Sequence, residues 1–307
     1  MLSVIIPAYN EEKCIRRVYD AIHSLLSENN IESEFIFIDD GSKDETYKEI
    51  SELSMEKENI TGLHFSRNFG KESAISAGLG ASGGDCAVVI DCDLQHPPEK
   101  IIEMYRLWEK GYEIVEGIKK ERGDEKKLHS IGAKMFYRAI SRMAGFDMAN
   151  SSDFKLLDRK VVDVLNKMPE RGFFRAISYW VGYNKATVEY DVRERVDGES
   201  KWSTRGLIKY AVSNISSYST APMQTVTVLG IIMLVISVIF GIWALIDKIS
   251  GRALEGMTTV IIITIFIGSI IMISLGIIGY YIARIYEEIK GRPKFIISET
   301  TKSLKKN

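Results

Sequence analysis

The chain is poor in the residues that announce several common classes of protein. Its three cysteines, Cys14, Cys86 and Cys92, match no metal-ligand spacing and are too few for a disulfide framework, so they read as reduced packing residues. A net charge of −1 over 307 residues lacks the basic excess of a nucleic-acid binder. No Gly-x-Gly-x-x-Gly follows the first apolar strand, where Pro7-Ala8-Tyr9-Asn10-Glu11-Glu12 stands instead, which argues against a dinucleotide-binding Rossmann domain. The opening apolar run is only a strand's length and has no basic n-region, so no signal peptide is expected. Charge itself is missing from two stretches, 221–246 and 257–283. At about 1.5 Å per residue each reaches about 40 Å, enough to cross a bilayer.

Positive charge sets the expected topology. Lys201, Arg205 and Lys209 precede the first stretch, and Arg284, Lys290, Arg292, Lys294, Lys302, Lys305 and Lys306 follow the second. The loop between holds only Lys248 and Arg252. The positive-inside rule then places both termini in the cytoplasm and makes the chain a multi-pass protein of the cell membrane. The Asn-x-Ser/Thr sequences at Asn59, Asn150 and Asn214 would stay unmodified there. Tyr218, Trp243, Tyr280 and Tyr281 fall near span ends, where aromatic anchors sit. Ile-rich spans containing Gly and Ser would allow packing into a homo-oligomer.

The N-terminal part alternates apolar strands with helical periodicity. Strands are expected at Leu2–Pro7, Phe35–Asp39, Ile60–Phe65, Cys86–Ile90 and Glu113–Glu116. Helices are expected at Glu11–Leu26, at Asp44–Met55 with Ser42 or Asp44 as its cap, and around Lys71–Leu79. This order predicts an α/β fold with a Rossmann-like, mostly parallel sheet. The amphipathic stretches Lys126–Met143 and Trp202–Tyr218 fit helices at a membrane surface, the first equally well a core-facing helix. The resulting organisation is a catalytic domain over 1–200, an interfacial helix over 201–220, two membrane helices within 221–284, and a basic cytoplasmic tail over 285–307.

Chemistry-bearing residues gather at strand ends. Ala87-Val88-Val89-Ile90 is a buried strand that ends in Asp91-Cys92-Asp93-Leu94-Gln95-His96-Pro97-Pro98-Glu99. Its two prolines stop a ladder and can open a helix. Two carboxylates there suit Mg²⁺ or Mn²⁺ carrying a phosphate. Alone, such a pair is more often two solvated side chains, and Asp39-Asp40-Gly41-Ser42 alone is a turn. Together with Ser66-Arg67-Asn68-Phe69-Gly70-Lys71 and the basic stretch from Arg193 to Lys201, they look like a site for an anionic ligand.

These pieces, in this order, resemble family 2 glycosyltransferases of the GT-A fold, and most closely the polyprenyl-phosphate glycosyltransferases, the dolichol-phosphate mannose synthase-like branch with a C-terminal two-helix membrane hairpin. Val4-Ile5-Ile6-Pro7-Ala8-Tyr9-Asn10-Glu11-Glu12, Ser152-Asp153-Phe154-Lys155-Leu156-Leu157 and Gly198-Glu199-Ser200-Lys201 complete the set. The resemblance implies that Pro7, Tyr9, Glu11, Asp39, Lys71, Asp91 and Gln95 bind the nucleotide sugar, with Asp39 near the base or ribose. It implies that Asp91 and Asp93 hold Mg²⁺ or Mn²⁺ at the diphosphate, with Asp93 the direct ligand. Asp153 stands at the place of the candidate catalytic base, while Arg193, Arg195, Ser200 and Lys201 would hold donor or acceptor phosphate. Asp153, Asp93 and Arg195 form the implied catalytic set. Ser152 stands where the family often has Gly. The Gln-x-x-Arg-Trp motif of processive polysaccharide synthases is absent, since Gln95 and Gln224 are the only glutamines.

The implied activity is inverting transfer of one hexose from UDP-glucose or UDP-N-acetylglucosamine to undecaprenyl phosphate, giving a lipid-linked donor for the cell envelope. A GDP-mannose-dependent mannose synthase is the alternative, and a membrane-anchored polysaccharide synthase a further one. A polyprenyl phosphate has a second pKa of about 6 and needs little deprotonation. Catalysis should therefore rest on positioning and charge neutralisation, with Asp153 orienting as much as acting as a base.

Overall fold

A computed structural model describes residues 1–120, 152–168, 174–191, 256–302 and scattered positions between 228 and 250. The chain divides into two compact units, Met1–Ser203 with Pro293–Asn307, and Thr204–Arg292.

The first unit alternates as its apolar pattern requires: β1 (Leu2–Ala8), α1 (Ile15–Glu28), β2 (Ser33–Asp39), α2 (Thr46–Glu56), β3 (Ile60–Phe65), α3 (Lys71–Ala81), β4 (Cys86–Val89), α4 (Glu99–Glu109) and β5 (Ile114–Lys119). Then come β6 (Lys155–Asp158), α5 (Arg159–Lys167), α6 (Phe174–Trp180) and β7 (Lys185–Tyr190). After α7 (Met257–Ile289) the chain returns as β8 (Ile297–Thr300). The strands form one sheet in the order β7-β5-β6-β4-β1-β2-β3-β8. β1 is buried over its whole length, as a central strand covered on both faces must be. Helix α1 buries Ile15, Val18, Tyr19, Ile22 and Leu26, one stripe at helical spacing.

Two departures from a parallel sheet matter for the site. β4, β1, β2 and β3 are parallel, but β6 runs antiparallel between β4 and β5. Val89 pairs with Lys155, so the same register carried two residues further sets Asp91 beside Asp153. A parallel β6 would have put Asp153 at the opposite edge. The second departure is β8, antiparallel to β3. It lies in the stretch expected as a basic tail, where the surrounding lysines hide the short apolar run Phe295-Ile296-Ile297. Phe295 stacks on Phe65 at 5.1 Å, the Ser66 amide donates to the Ile296 carbonyl at 3.0 Å, and the Gly62 amide donates to Thr301 Oγ1 at 2.8 Å. The tail therefore covers the edge of β3 and leaves the short β8 as the outermost strand.

Helix starts also differ from expectation. α1 begins at Ile15, four residues after Glu11, because Glu11 and Glu12 are drawn into loop contacts described below. Neither expected residue is the N-cap of α2; Glu45 holds that position without a side-chain bond. Asp44 Oδ1 nevertheless accepts from the Thr46 amide at 3.2 Å. α4 opens after Pro98, as the proline pair predicts.

In the second unit, α7 has 33 residues, about 50 Å at 1.5 Å per residue, and contains a membrane-length apolar segment, Phe266–Ala283. The described positions between 228 and 249 are helical, while most of the first expected span lies outside the described residues. So do the stretches Lys126–Met143 and Trp202–Tyr218.

Candidate active site

The loops after β1, β2 and β3 are tied to one another at the C-terminal edge of the sheet. Asn10, at φ +55°, donates its amide to Ser42 Oγ at 2.8 Å, and its Oδ1 accepts from the Lys43 amide at 3.0 Å. The Glu11 amide donates to Thr46 Oγ1 at 2.9 Å, and Glu12 Oε2 accepts from the Glu45 amide at 3.1 Å. Asp40 receives the Phe69 amide at 2.6 Å and the Gly70 amide at 2.9 Å, which fixes the loop entering α3. Gly41 makes this approach possible. At φ +67°, a Cβ there would lie 2.4 Å from the Arg67 carbonyl carbon.

Asp39 is fully buried at the end of β2. Its Oδ1 accepts from the Ser42 amide at 3.0 Å and from the Ser42 hydroxyl, and its Oδ2 lies 2.6 Å from His64 Nδ1. His64 in turn stacks on Tyr47 at 4.6 Å. Both carboxylate oxygens are thus engaged, and the group orients Ser42 and His64. Pro7 is buried within β1, while Tyr9 emerges exposed just beyond it.

The charged centre forms around Asp153. Lys71, the first residue of α3, sets its Nζ 2.6 Å from Asp91 Oδ1 and 2.9 Å from Asp153 Oδ2. Arg175 on α6 grips Asp153 with a fork, Nε to Oδ1 at 2.8 Å and Nη2 to Oδ2 at 3.0 Å. Burial opposes ionisation of Asp153, yet Lys71 and Arg175 hold its carboxyl well below the usual range. Burial likewise opposes the Lys71 charge, and Asp91 with Asp153 keeps the ammonium above its ordinary pKa. Glu72 is different: burial, reinforced by Asp153, pushes its carboxyl up to about 7 against the Phe174 amide, Lys71 and Arg175.

Helix α6 is short and needs bracing to hold Arg175. The Phe174 amide donates to Glu72 Oε2 at 2.8 Å. Lys155 Nζ, almost fully buried, donates to Ser178 Oγ at 2.8 Å, and that hydroxyl donates to the Arg175 carbonyl at 3.0 Å. Lys155 also lies 3.1 Å from Glu116 Oε1, which accepts the Ser152 amide at 3.0 Å. Ser152, in the expected glycine position, donates its hydroxyl to the Gly117 carbonyl at 2.6 Å, so the residue is accommodated.

Beyond β4 the turn is tight. Asp93 Oδ1 accepts from the Gln95 amide at 3.1 Å, and Leu94 sits at φ +55°. Cys92 is buried between the acidic residues, and both it and the buried Cys14 are free thiols. His96 packs between Phe154 at 5.0 Å and Tyr190 at 5.3 Å, its Nδ1 buried and 3.9 Å from Asp91 Oδ2.

Asp91 and Asp93 offer hard oxygen donors in one turn. Among the described residues no three His, Cys, Asp or Glu side chains assemble into a closed cage. Two carboxylates in one turn fit Mg²⁺ or Mn²⁺ that completes its shell with substrate phosphate and water.

Lys71, Asp91 and Asp153, expected from sequence, therefore meet directly, while Asp39 is engaged by Ser42 and His64 at the end of β2. Arg193, Arg195, Ser200 and Lys201 lie outside the described residues. Arg175 and Glu72 were not expected. Glu72 adjoins a recognised motif, but Arg175 sits among Phe174, Ala176 and Ile177, a stretch that reads as core.

The sequence model of glycosyl transferase family 2 matches residues 3–165. An uncharacterized glycosyltransferase of Synechocystis is 37% identical over 97% of this chain and 95% of its own length. A prophage bactoprenol glucosyl transferase homolog of Escherichia coli is 36% identical over 98% of this chain and 99% of its own. Among solved structures, glucosyl-3-phosphoglycerate synthase from Mycobacterium tuberculosis, in complex with Mn²⁺, UDP and phosphoglyceric acid, aligns over 70% of this chain and 76% of that one, at 20% identity and a TM-score of 0.49. The chain belongs to glycosyl transferase family 2, and its mixed sheet, with the acidic turn at the end of β4, is a GT-A fold.

Proposed function

We propose that the protein transfers one glucose, with inversion, from UDP-glucose to a polyprenyl phosphate of the bactoprenol type at the cytoplasmic face of the membrane. The lipid-linked glucose would then serve cell-envelope glycosylation. The observation that carries this reading is the clamp on Asp153. A hydroxyl acceptor needs a general base with a pKa near the working pH. Both oxygens of Asp153 are held by Arg175 and one also by Lys71, and the neighbouring Glu72 carboxyl is turned to the Phe174 amide, so neither is set to take an acceptor proton. A phosphate monoester, with a second pKa of about 6, needs no such base. The apolar helix α7 suits an acceptor whose tail stays in lipid, and the E. coli relative's name includes bactoprenol and glucosyl transfer.

In this reading the phosphate oxygen attacks the anomeric carbon as the bond to UDP breaks. No proton moves in that step. Asp153 keeps Lys71 and Arg175 in place, and the ordered loops of Asp39 and Asp40 shape the donor pocket. A divalent cation held by Asp91 and Asp93 would supply charge neutralisation at the diphosphate. Gln95, Arg193, Arg195, Ser200 and Lys201 complete the proposed contacts to sugar and phosphate. Membranes carrying the full chain, given undecaprenyl phosphate and radiolabelled UDP-glucose, UDP-N-acetylglucosamine or GDP-mannose, should yield a chloroform-soluble, mild-acid-labile product from UDP-glucose. Preference for another donor would correct the sugar. Aqueous polymer, or no lipid product from any donor, would overturn the reading.

A further inference from the structure

Asp91 and Asp153 end adjacent antiparallel strands, so two carboxylates face one small volume and require a cation between them. Arg175 already satisfies both oxygens of Asp153 through its fork. Among the described residues the cation that serves Asp91 is Lys71, at 2.6 Å; His96, at 3.9 Å from the other oxygen, is beyond hydrogen-bond reach. Lys71 is partly exposed and begins a helix just after Gly70 at φ +95°. Its ammonium is a point charge on a flexible stem, with three N–H groups of which Asp91 and Asp153 engage two. No closed cage of acidic or histidine side chains stands ready among the described residues. A divalent ion reaching Asp91 must therefore compete with that ammonium.

We propose that Lys71 is the exchangeable counter-ion of Asp91: it occupies the carboxylate while the site is empty, yields it to the divalent cation that accompanies the donor diphosphate, and swings on its Asp153 contact to offer the freed N–H to phosphate. The inference rests on the proposed cation and diphosphate at Asp91 and Asp93, but not on which sugar or acceptor is used. Such a device would keep the empty site electrically balanced. It would also make cation and donor binding mutually reinforcing, because the diphosphate supplies the new partner that Lys71 needs.

The test is Mn²⁺ binding to the full chain in detergent, followed by electron paramagnetic resonance without donor or acceptor. Lys71→Gln should bind Mn²⁺ at least about tenfold more tightly than wild type, because a competing positive charge is gone. Lys71→Arg, which keeps the charge, should not. Adding UDP should tighten Mn²⁺ binding more in wild type than in Lys71→Gln. Unchanged or weaker Mn²⁺ binding in a folded Lys71→Gln overturns the proposal. Wild-type protein gives a second reading that needs no variant. Amine acylation of Lys71, quantified by mass spectrometry, should rise with Mn²⁺ alone and fall again when UDP is added. A rate indifferent to Mn²⁺ overturns the proposal even if transfer to lipid is demonstrated.

Discussion

Replacing Glu72 by Gln should make the first unit less sensitive to alkali, by an amount the site geometry sets. In the folded protein burial pushes the Glu72 carboxyl up to about 7 from its ordinary value of 4.5. Between those two values the folded state holds a proton that the unfolded state has released, so unfolding free energy falls as pH rises. Stabilisation from the protonated form is complete below about pH 4.5 and is lost as pH passes about 7. At about 1.4 kcal/mol per pH unit, the loss is about 3 kcal/mol. For a unit of this size that corresponds to about 6–12 °C in Tm. Gln keeps an oxygen for the Phe174 amide, which now donates to Oε2 at 2.8 Å, and carries no charge toward Asp153, Lys71 or Arg175. Thermal melts of the full chain in detergent from pH 4 to pH 8 should give similar values for both proteins at pH 4. At pH 8 the variant should be the more stable by that margin, and titrating groups remote from Glu72 cancel in the difference. A difference that is flat with pH, or of opposite sign, would refute the reasoning. Turnover of Glu72→Gln should stay within a few-fold of wild type; loss of turnover at unchanged donor KM would make Glu72 a base.

Arg175→Met should lower kcat about 100-fold, as expected when a charge-assisted fork in a catalytic site is removed, with Arg175→Lys recovering only part of it. Asp153 stabilises the wild-type fold above about pH 4 and loses that contribution as pH falls toward its depressed folded value. Arg175→Met should therefore begin to unfold at a higher pH on acid titration, which circular dichroism reads directly. Gly41→Ala places a Cβ 2.4 Å from backbone and imposes φ +67° on alanine, so a stability loss of about 2 kcal/mol or more and a raised donor KM are expected from melts and steady-state kinetics. Phe295→Ala removes the ring stacked on Phe65 at 5.1 Å and should cost about 2 kcal/mol in denaturant titration, although residue 295 follows every recognised motif.

What the sequence disclosed of this site, and what it did not, follows from the range of the forces involved. Strands β1 to β4 were legible because burial on both faces leaves nearly continuous apolar runs, and the acidic pair was legible because it interrupts one of them. The direction of β6 was not legible: a four-residue strand carries the same local pattern either way, and only pairing with β4 sets Asp153 beside Asp91. β8 escaped for a related reason. Its stability comes from Phe65, Ser66 and Gly62, far away in the chain, whereas its own neighbours are lysines and polar residues.

Arg175 shows the limit most clearly. Nothing at positions 174–180 distinguishes a helix that fills space from one that delivers a guanidinium. The difference is made by Glu72 at its first amide, Lys155 through Ser178 near its end, and Asp153 at the fork, which come from three separate elements. Lys155 was visible as part of a motif, yet its buried ammonium turns toward Ser178 and Glu116. Burial lowers its pKa, opposed by Glu116, and the group serves to position the helix. The same motif therefore contributes two charges with opposite duties: Asp153 gathers the cations of the site, and Lys155 fixes the helix from which one of them comes. A variant that removes Lys155 while retaining volume, Lys155→Met, should consequently impair turnover through Arg175. Its signature would be a lost distinction between wild-type and methionine side chains at position 175 in the double variant, because a guanidinium on a misplaced helix has nothing left to hold.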